Sequence, residues 1–314
     1  MGDAEPSRSR PHPDPLPGGE GEGAKAGCAS ATFDLVLRAN ERVGPNAYVA
    51  VLDVPAAPLA PTRFEPGQFL MLRTGAGPGG DGCDPLLRRP FAPVDVHPPS
   101  AGGGAGRVEL LYSVYGRGTR ALAGALPGLR FDAVGPLGRG FSPPPPPEAG
   151  PIVVVAGGVG LAPFHHLARE LTAAGRRDIH VVVGARTREG LILADRFRAL
   201  GVAWRPTTDA GDDPQAGRGT AVDELERLLG ELPRPPAILY SCGPWPMMRA
   251  TALAARARGL RCEVSLERRM ACGFGVCFTC VERLLDPARG GYWNLRTCLD
   301  GPVVDAARLD LGPG

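Results

Sequence analysis

The chain has 314 residues, and its 35 basic and 33 acidic side chains leave a formal charge of +2. This near balance argues against nucleic acid or an anionic membrane surface as the main partner. The longest apolar stretch, at 152–164, is interrupted by glycines and falls short of the ~20 residues that a membrane span needs. We therefore expect a protein without a membrane segment, built from two domains and a small appendage.

Residues 1–31 are predicted to be a disordered tail. Up to residue 30, Leu16 is the only sizeable aliphatic side chain beyond Met1, and it lies among prolines, glycines and charged residues. Such a segment buries too little apolar surface to offset the entropy of ordering. It also lacks the apolar run of a secretory signal. The eight cysteines therefore point to a reducing compartment, and we expect a cytoplasmic protein.

Residues 32–145 are predicted to form a small antiparallel β-barrel. Short segments rich in β-branched or aromatic residues, bounded by glycine and proline, predict strands at 47–54, 68–73, 91–96 and 107–115. The loops at 75–84 and 98–106 are flexible by composition. Five consecutive prolines, at 143–147, predict an extended linker to the next domain.

Residues 150–262 alternate between strand-like and helix-like segments. Strands are predicted at 152–155, 180–183, 202–206 and 238–241, and helices at 163–174, 193–200, 222–229 and 246–258. This alternation implies a parallel sheet with helices on both faces. Residues 263–314 lack the repeat and are predicted to form a small C-terminal subdomain.

Four cysteines of that subdomain have the spacing of an iron–sulfur site. Cys272, Cys277 and Cys280 follow the pattern C-x4-C-x2-C, and Cys298 is the next cysteine along the chain. This is the spacing of plant-type [2Fe–2S] proteins. A structural zinc site is the alternative, because four thiolates also bind Zn²⁺, although such sites usually have two C-x2-C pairs. We favour the [2Fe–2S] cluster.

Two glycine-containing turns follow predicted strands of the second domain. The first holds Gly157, Gly158 and Gly160, whose lack of side chains lets the backbone approach a pyrophosphate at a helix N-terminus. The second holds Cys242 and Gly243 at the carboxyl end of a later strand, where ligands approach a parallel sheet. Together they predict a nucleotide site, although each turn alone is equally compatible with tight packing.

The barrel carries a candidate phosphate-binding set in two segments. These comprise Arg89, Pro90, Phe91 and Ala92 in the first, and Gly116, Gly118 and Thr119 in the second. An arginine offers a forked donor to phosphate, Phe91 offers a stacking face, and Thr119 is predicted to cap a short helix. Arg88 directly precedes Arg89, so the two segments alone leave open which of the two arginines faces the phosphate. Each residue also has a purely structural explanation, as core, surface charge or turn.

In this combination the sequence resembles the ferredoxin-reductase superfamily, and within it the electron-transfer subunits of type-B dihydroorotate dehydrogenases. The resemblance covers residues 32–305, and its most specific part is the segment Ser265–Gly273 ahead of the cysteines. It implies a mixed β and α/β fold: a flavin-binding barrel, a parallel-sheet nucleotide-binding domain and a [2Fe–2S] subdomain. The family usually has Ser or Thr at position 92, so Ala92 removes a hydroxyl from the flavin edge.

The resemblance implies three cofactors: FAD, one [2Fe–2S] cluster and NAD. Arg89 and the segment 116–119 would hold the FAD phosphates, with Pro90, Phe91 and Ala92 beside the isoalloxazine ring. The turn at 157–160 would face the NAD pyrophosphate, and the turn at 242–243 would lie near the nicotinamide. The four cysteines would ligate iron. No catalytic acid or base is expected in this chain.

The resemblance also implies a partner, the FMN-containing catalytic subunit of dihydroorotate dehydrogenase, in a heterotetramer with two copies of each chain. Electrons from dihydroorotate would pass through the cluster and FAD to NAD⁺, in pyrimidine biosynthesis. One alternative is a flavin and iron–sulfur reductase serving an oxygenase or hydrogenase-type complex, and another is a zinc-stabilised nucleotide-binding module. The choice between NAD and NADP stays open, because Arg186 and Arg188 follow the second strand of the nucleotide domain.

Overall fold

The structure, a computed structural model, describes residues 31–54, 63–75, 84–98, 105–287 and 290–312. The predicted tail lies outside the described residues except for Ala31, and so do most of the two barrel loops predicted to be flexible. No helix within the described ranges has both the length and the apolar character needed to cross a membrane.

The first domain is an antiparallel sheet of seven strands that nearly closes into a barrel, as predicted. Its spatial order is β4-β3-β7-β1-β2-β6-β5. The strands are β1 (Ala31–Arg42), β2 (Ala47–Val54), β3 (Phe69–Leu72), β4 (Arg89–Phe91), β5 (Pro93–His97), β6 (Gly106–Ser113) and β7 (Arg130–Leu137). The edge strands β4 and β5 are separated in sequence by Ala92 alone, so this residue forms the corner that closes the barrel. One prediction is wrong here, because a single strand was expected over 91–96.

Alternating apolar residues fill the barrel. In β1, Phe33, Leu35 and Leu37 are buried and the residues between them are more exposed, which is the period-two pattern of a half-buried strand. The short helix α1 (Arg117–Ala123) follows β6 and buries Leu122 in the same core.

The second domain is a seven-stranded sheet with the order β11-β10-β9-β8-β12-β13-β16. Its strands are β8 (Ile152–Gly157), β9 (Ile179–Ala185), β10 (Ala203–Thr208), β11 (Gly217–Arg218), β12 (Ile238–Cys242), β13 (Cys262–Ser265) and β16 (Val303–Asp305). Its helices are α2 (Ala162–Ala173), α3 (Ala194–Ala199), α4 (Ala221–Glu231) and α5 (Trp245–Ala257). All neighbouring strands are parallel except β13 and β16, which confirms the predicted parallel sheet.

The C-terminal segment is joined to this sheet by hydrogen bonds. Strands β13 and β16 both fall in or beside the predicted subdomain of residues 263–314, yet they extend the sheet of the nucleotide domain. The cysteine loop and the hairpin of β14 (Val281–Asp286) and β15 (Gly291–Arg296) lie outside it. Strands of three or four residues show no usable period, which is why sequence alone did not place them in the sheet.

The two domains share one apolar core at their junction. Val94 and Leu111 of the barrel pack in the same buried cluster as Phe164 and Leu167 of α2. This contact sets the barrel against the carboxyl ends of β8 and β12, which is where a parallel sheet receives its ligands.

Candidate cofactor cleft and iron–sulfur site

A cleft of about 300 Å³ opens between the barrel and the second domain. Its size lies in the range of small-molecule and cofactor sites. Eight of the predicted site residues line it, namely Arg89, Pro90, Phe91, Ala92, Gly116, Gly118, Thr119 and Cys242. The structure therefore brings both barrel segments and one turn of the nucleotide domain to a single place.

Arg89 faces this cleft, whereas Arg88 is engaged elsewhere. The Arg88 Nε donates to Asp132 Oδ1 at 2.6 Å. Arg89 lies against Gly118, where a Cβ would stand 3.0 Å from the Arg89 Nε and 2.9 Å from the Thr74 Oγ1. That Thr74 hydroxyl is buried and has no hydrogen-bond partner among the described residues. An arginine, a hydroxyl without a partner and a glycine that leaves space beside them together fit a bound phosphate.

Thr119 shapes the loop in front of the cleft, but the prediction that it caps a helix is wrong. Helix α1 begins at Arg117 with Gly116 as its N-cap, and Thr119 lies within the first turn. Its Oγ1 accepts hydrogen bonds from the backbone N–H groups of Tyr115, at 3.1 Å, and Gly116, at 3.2 Å. The hydroxyl thereby fixes the loop, and Tyr115, whose exposed fraction is 84%, lines the cleft.

The two predicted nucleotide turns pack against each other. A Cβ on Gly160 would stand 2.3 Å from the carbonyl oxygen of Cys242, and one on Gly243 would stand 3.0 Å from the backbone of Gly157. Gly158 has a φ of +55°, in the left-handed region that favours glycine. These four glycines do not line the cleft themselves. Their neighbours in the first turn line it instead: Val159, between two of the glycines, and Ala162 and Pro163, just after them.

Among the cleft residues that were not predicted are Glu267, Arg268 and Met270. All three belong to the stretch between β13 and the first cluster cysteine. Partial desolvation by the cleft walls raises the pKa of the Glu267 carboxyl above its usual range. Burial likewise raises the pKa of the Cys242 thiol, so this thiol is neutral at pH 7. Their position in the chain could have predicted them as cleft residues, because the stretch between β13 and Cys272 must cross from the sheet to the barrel.

The four predicted cluster cysteines form two contacting pairs. Cys272 hydrogen bonds with Cys277, and the backbone N–H of Cys298 donates to the Cys280 Sγ at 3.4 Å. A [2Fe–2S] core contains two irons and takes four thiolates, so two pairs match one pair for each iron. The backbone N–H of Gly275 donates to the Cys298 Sγ at 3.2 Å. In the described part of the chain, no three His, Cys, Asp or Glu side chains meet closely enough to hold a single metal ion.

Two glycines let the cysteine loop wrap closely against the barrel. Gly273 and Gly275 have φ values of +88° and +85°, which other residues adopt only at a cost. A Cβ on Gly273 would stand 2.4 Å from the Cγ of Met71. One side of the site is therefore a buried apolar cluster made of Phe69, Met71, Leu137, Cys280 and Cys298, with Met270 packed against it. The donors and the tight loop fit an iron–sulfur group.

The other side of the cysteine loop faces solvent. Cys277 is exposed, and hydrogen bonds from Thr279 and Cys272 lower the pKa of its thiol to about 6. It is therefore a thiolate at neutral pH, the form that binds metal. Four exposed apolar side chains lie in this loop or beside Cys298, and we call them the cluster rim: Phe274, Val276, Phe278 and Leu299.

Comparison with known families agrees with this division of the chain. Residues 267–310 match the iron–sulfur cluster binding domain of dihydroorotate dehydrogenase B, and residues 154–252 match the oxidoreductase NAD-binding domain. Two curated relatives are named dihydroorotate dehydrogenase B (NAD(+)), electron transfer subunit, one from Bacillus cereus strain 03BB102 and one from Bacillus anthracis strain CDC 684 / NRRL 3495. Each is 33% identical over 278 residues, which cover 88% of this chain and 98% of the relative.

Solved structures show the same architecture. An NADH-dependent reduced ferredoxin–NADP oxidoreductase, studied for flavin-based electron bifurcation, is 27% identical with a TM-score of 0.70, over 88% of this chain and 90% of its own. A cytochrome P450 reductase from Amycolatopsis is 25% identical with a TM-score of 0.58, over 74% and 68%. The predicted resemblance is confirmed. This chain belongs to the NAD-linked electron-transfer subunits of dihydroorotate dehydrogenase B.

Proposed function

We propose that this chain carries electrons from an FMN-containing catalytic subunit that oxidises dihydroorotate, through a [2Fe–2S] cluster and FAD, to NAD⁺. The observation that supports this order is the position of the cysteine loop between solvent and cleft. Its exposed edge carries Cys277, and its buried edge packs against Met270. Met270 in turn lines the cleft. A cluster held there would lie between a docked partner and the flavin site.

The residues of the cleft divide the binding tasks. FAD, when bound, exchanges single electrons with an iron–sulfur cluster and a hydride with NAD. Arg89 and the backbone at 116–119 would hold its phosphates, and Pro90, Phe91 and Ala92 would lie beside its ring. Gly157, Gly158 and Gly160 would leave room for the NAD pyrophosphate, with Cys242 and Gly243 beside the nicotinamide. Cys272, Cys277, Cys280 and Cys298 would bind the two irons.

The cluster rim is the surface on which we place the partner subunit. Its four side chains are between 43% and 69% exposed, and a concentration of exposed apolar groups on one surface is typical of a protein interface. A partner bound there would exclude water from the Cys277 edge. We propose that the assembly contains two copies of each chain. We place it in the cytoplasm, because free thiols that bind iron require a reducing compartment.

Reconstitution tests this function. The purified chain, loaded with flavin and cluster under anaerobic conditions, is mixed with a dihydroorotate dehydrogenase catalytic subunit, dihydroorotate and NAD⁺, and NADH is followed by absorbance. We expect NADH to form when both proteins are present and not with either alone. If the loaded chain still reduces dyes with NADH but the pair forms no NADH from dihydroorotate, the chain serves a different electron donor or acceptor.

A further inference from the structure

We propose that Asp95 is a positioning residue for hydride transfer between flavin and nicotinamide. With His165 and Arg169 it forms a buried polar contact, which we call the junction clamp, between the barrel and the helix that follows the nucleotide turn. The inference rests on the proposed function, because it assumes that a flavin and a nicotinamide meet in the cleft.

The clamp joins the two segments that carry the opposing domains into the cleft. Asp95 lies on β5, three residues after Ala92. His165 and Arg169 lie on α2, two and six residues after Pro163. Ala92 and Pro163 both line the cleft, one from each domain. A shift of β5 relative to α2 therefore moves the barrel side of the cleft, where the flavin would bind, relative to the second-domain side, where the nicotinamide would bind.

Three consecutive residues of β5 are engaged by α2. The Arg169 Nε lies 2.7 Å from the Asp95 Oδ1, and the Arg169 Nη2 donates to the carbonyl oxygen of Val96 at 2.9 Å. The His165 Nδ1 lies 3.2 Å from the carbonyl oxygen of Val94 and 4.0 Å from the Asp95 Oδ2. Contacts at three consecutive residues fix the position of β5 along α2 as well as the distance between the strand and the helix.

These contacts are buried, so the loss of one partner is energetically costly. Asp95 and His165 are each only 6% exposed, and a buried carboxylate whose partner is removed is strongly unfavourable. Asp95 also approaches the His97 Nε2 at 3.3 Å, but His97 lies on the same strand and cannot hold the domains together. Of the side-chain contacts of Asp95, those to Arg169 and His165 are therefore the ones that span the junction and help to fix the relative position of β5 and α2.

A second ion pair crosses the same junction and supplies a matched control. Glu109 on β6 lies directly opposite Asp95 in the barrel sheet and is 7% exposed. Its Oε2 lies 2.5 Å from the Arg196 Nη1 of α3, and its Oε1 lies 3.3 Å from the Arg107 Nε. Helix α3, all of which is described, contributes no lining residue to the cleft. Removing Glu109 therefore breaks the pair between β6 and α3 and leaves in place the contacts that α2 makes with β5.

The clamp is expected to matter more for the rate of hydride transfer than for cofactor affinity. Hydride transfer needs the reacting atoms about 3–3.5 Å apart, and a misplacement of about 1 Å can cost about 100-fold in rate. The candidate phosphate contacts of the barrel lie at Arg89 and Gly118, in other segments, and do not involve Asp95. Loss of the clamp would therefore move the two sides of the cleft apart, while the phosphate contacts that bind the cofactors stay in place.

The test compares Asp95→Asn with Glu109→Gln in the flavin-loaded chain. Stopped-flow absorbance gives the rate constant of flavin reduction by NADH and its deuterium isotope effect, and titration gives the dissociation constants of FAD and NAD⁺. We expect Asp95→Asn to slow hydride transfer about tenfold or more, with both dissociation constants within about twofold of wild type. Glu109→Gln is expected to lower the thermal midpoint while the rate constant stays within about twofold.

Two additions keep the outcomes distinct. Arg169→Gln removes the same contact from its less buried side and replaces Asp95→Asn should that protein fail to fold. Hydrogen exchange of α2 and β5 in the apoprotein should rise in the Asp95 or Arg169 variant and not in Glu109→Gln. A wild-type rate in the clamp variants, or an equal loss in Glu109→Gln, would overturn the proposal. Absence of flavin reduction by NADH in wild type would overturn the proposed function, and the exchange measurement would still decide whether the clamp holds α2.

Discussion

Two adjacent arginines, Arg88 and Arg89, take different partners because successive residues of an extended chain point to opposite sides. Arg88 pairs with Asp132 on β7, and Arg89 lies against Gly118 at the cleft. The glycine at position 118 leaves room for both side chains, since a Cβ there would crowd Arg89 and the Thr74 hydroxyl. The dipeptide alone does not reveal which arginine faces inward, because that depends on the register of β4 in the barrel.

Replacing Arg89 with alanine should weaken FAD binding. One charged hydrogen-bonded contact contributes about 1.5–3 kcal/mol, so the FAD dissociation constant should rise about 10- to 150-fold. Titration of the apoprotein with FAD measures this. Arg88→Ala is the matched control, which should lower the thermal midpoint through loss of the Asp132 pair and leave FAD affinity unchanged. The reverse pattern would assign the phosphate to Arg88.

The strands of the second domain were predicted from the sequence more accurately than those of the barrel. The first strand was predicted over 152–155 and β8 runs from Ile152 to Gly157, because a strand buried on both faces is a continuous apolar run. The break at Ala92 was missed, because it is set by closure of the barrel rather than by a local signal. The pairing of the two nucleotide turns was likewise hidden, since Gly160 and Cys242 meet only when β8 and β12 are neighbours.

The cysteine loop should be separable from the flavin cleft by mutation. Cys277 is exposed and touches none of the cleft residues that bind phosphate in our account. Cys277→Ser should abolish the visible absorbance and EPR signal of the cluster while most NADH-dependent dye reduction remains. Cys262→Ser, at a buried cysteine of β13, should cost stability and keep the cluster. Loss of dye reduction in Cys277→Ser with FAD still bound would show that the two sites are interdependent.

Helix α2 should become less firmly held in mild acid because of His165. Burial lowers the pKa of His165 below its ordinary value of 6.5; Asp95 and Glu109 oppose this shift, whereas Arg196 adds to it. The unfolded chain takes up this proton near pH 6.5 and the folded chain only at lower pH. The unfolded state then binds more protons, so the free energy of unfolding decreases as pH falls below about 6.5.

Thermal unfolding between pH 7 and pH 5 tests this direction. The midpoint should fall over this range in wild type, and it should fall less in His165→Asn, which keeps an amide donor for the Val94 carbonyl and cannot be protonated. Some decrease should remain, because burial also lowers the pKa of His180. An identical pH dependence in wild type and His165→Asn would show that His165 does not titrate between the two states.

Three parts of the chain connect the cleft with the cysteine loop at the surface. The barrel corner at Ala92 forms one wall, and Cys242 at the end of β12, with Val159, Ala162 and Pro163 beyond β8, forms the other. The stretch from Leu266 to Met270 runs past the cleft and leads into the cysteine loop. The strand pairs β12–β13 and β13–β16 anchor that stretch in the sheet. The cluster site is thereby fixed relative to the cleft and is not a module on a linker.

The cluster rim should be needed for the partner and not for reaction with NADH. Val276→Glu places a charge on a side chain that is 69% exposed, and we expect at least about tenfold weaker binding of the catalytic subunit, since charges are depleted at interface cores. Leu126→Glu is the matched control, because Leu126 is 72% exposed on the barrel loop between α1 and β7. Equal effects of the two changes on partner affinity, measured by calorimetry, would remove the rim from the interface.

The most direct measurement is the absorbance and EPR spectrum of the anaerobically purified chain, with iron, sulfide, zinc and flavin quantified in the same sample. The expected result is two irons and two sulfides per chain, one FAD, and an EPR signal of a [2Fe–2S] cluster after reduction. A chain that contains one zinc in place of iron, or a barrel that takes up no flavin, would contradict it.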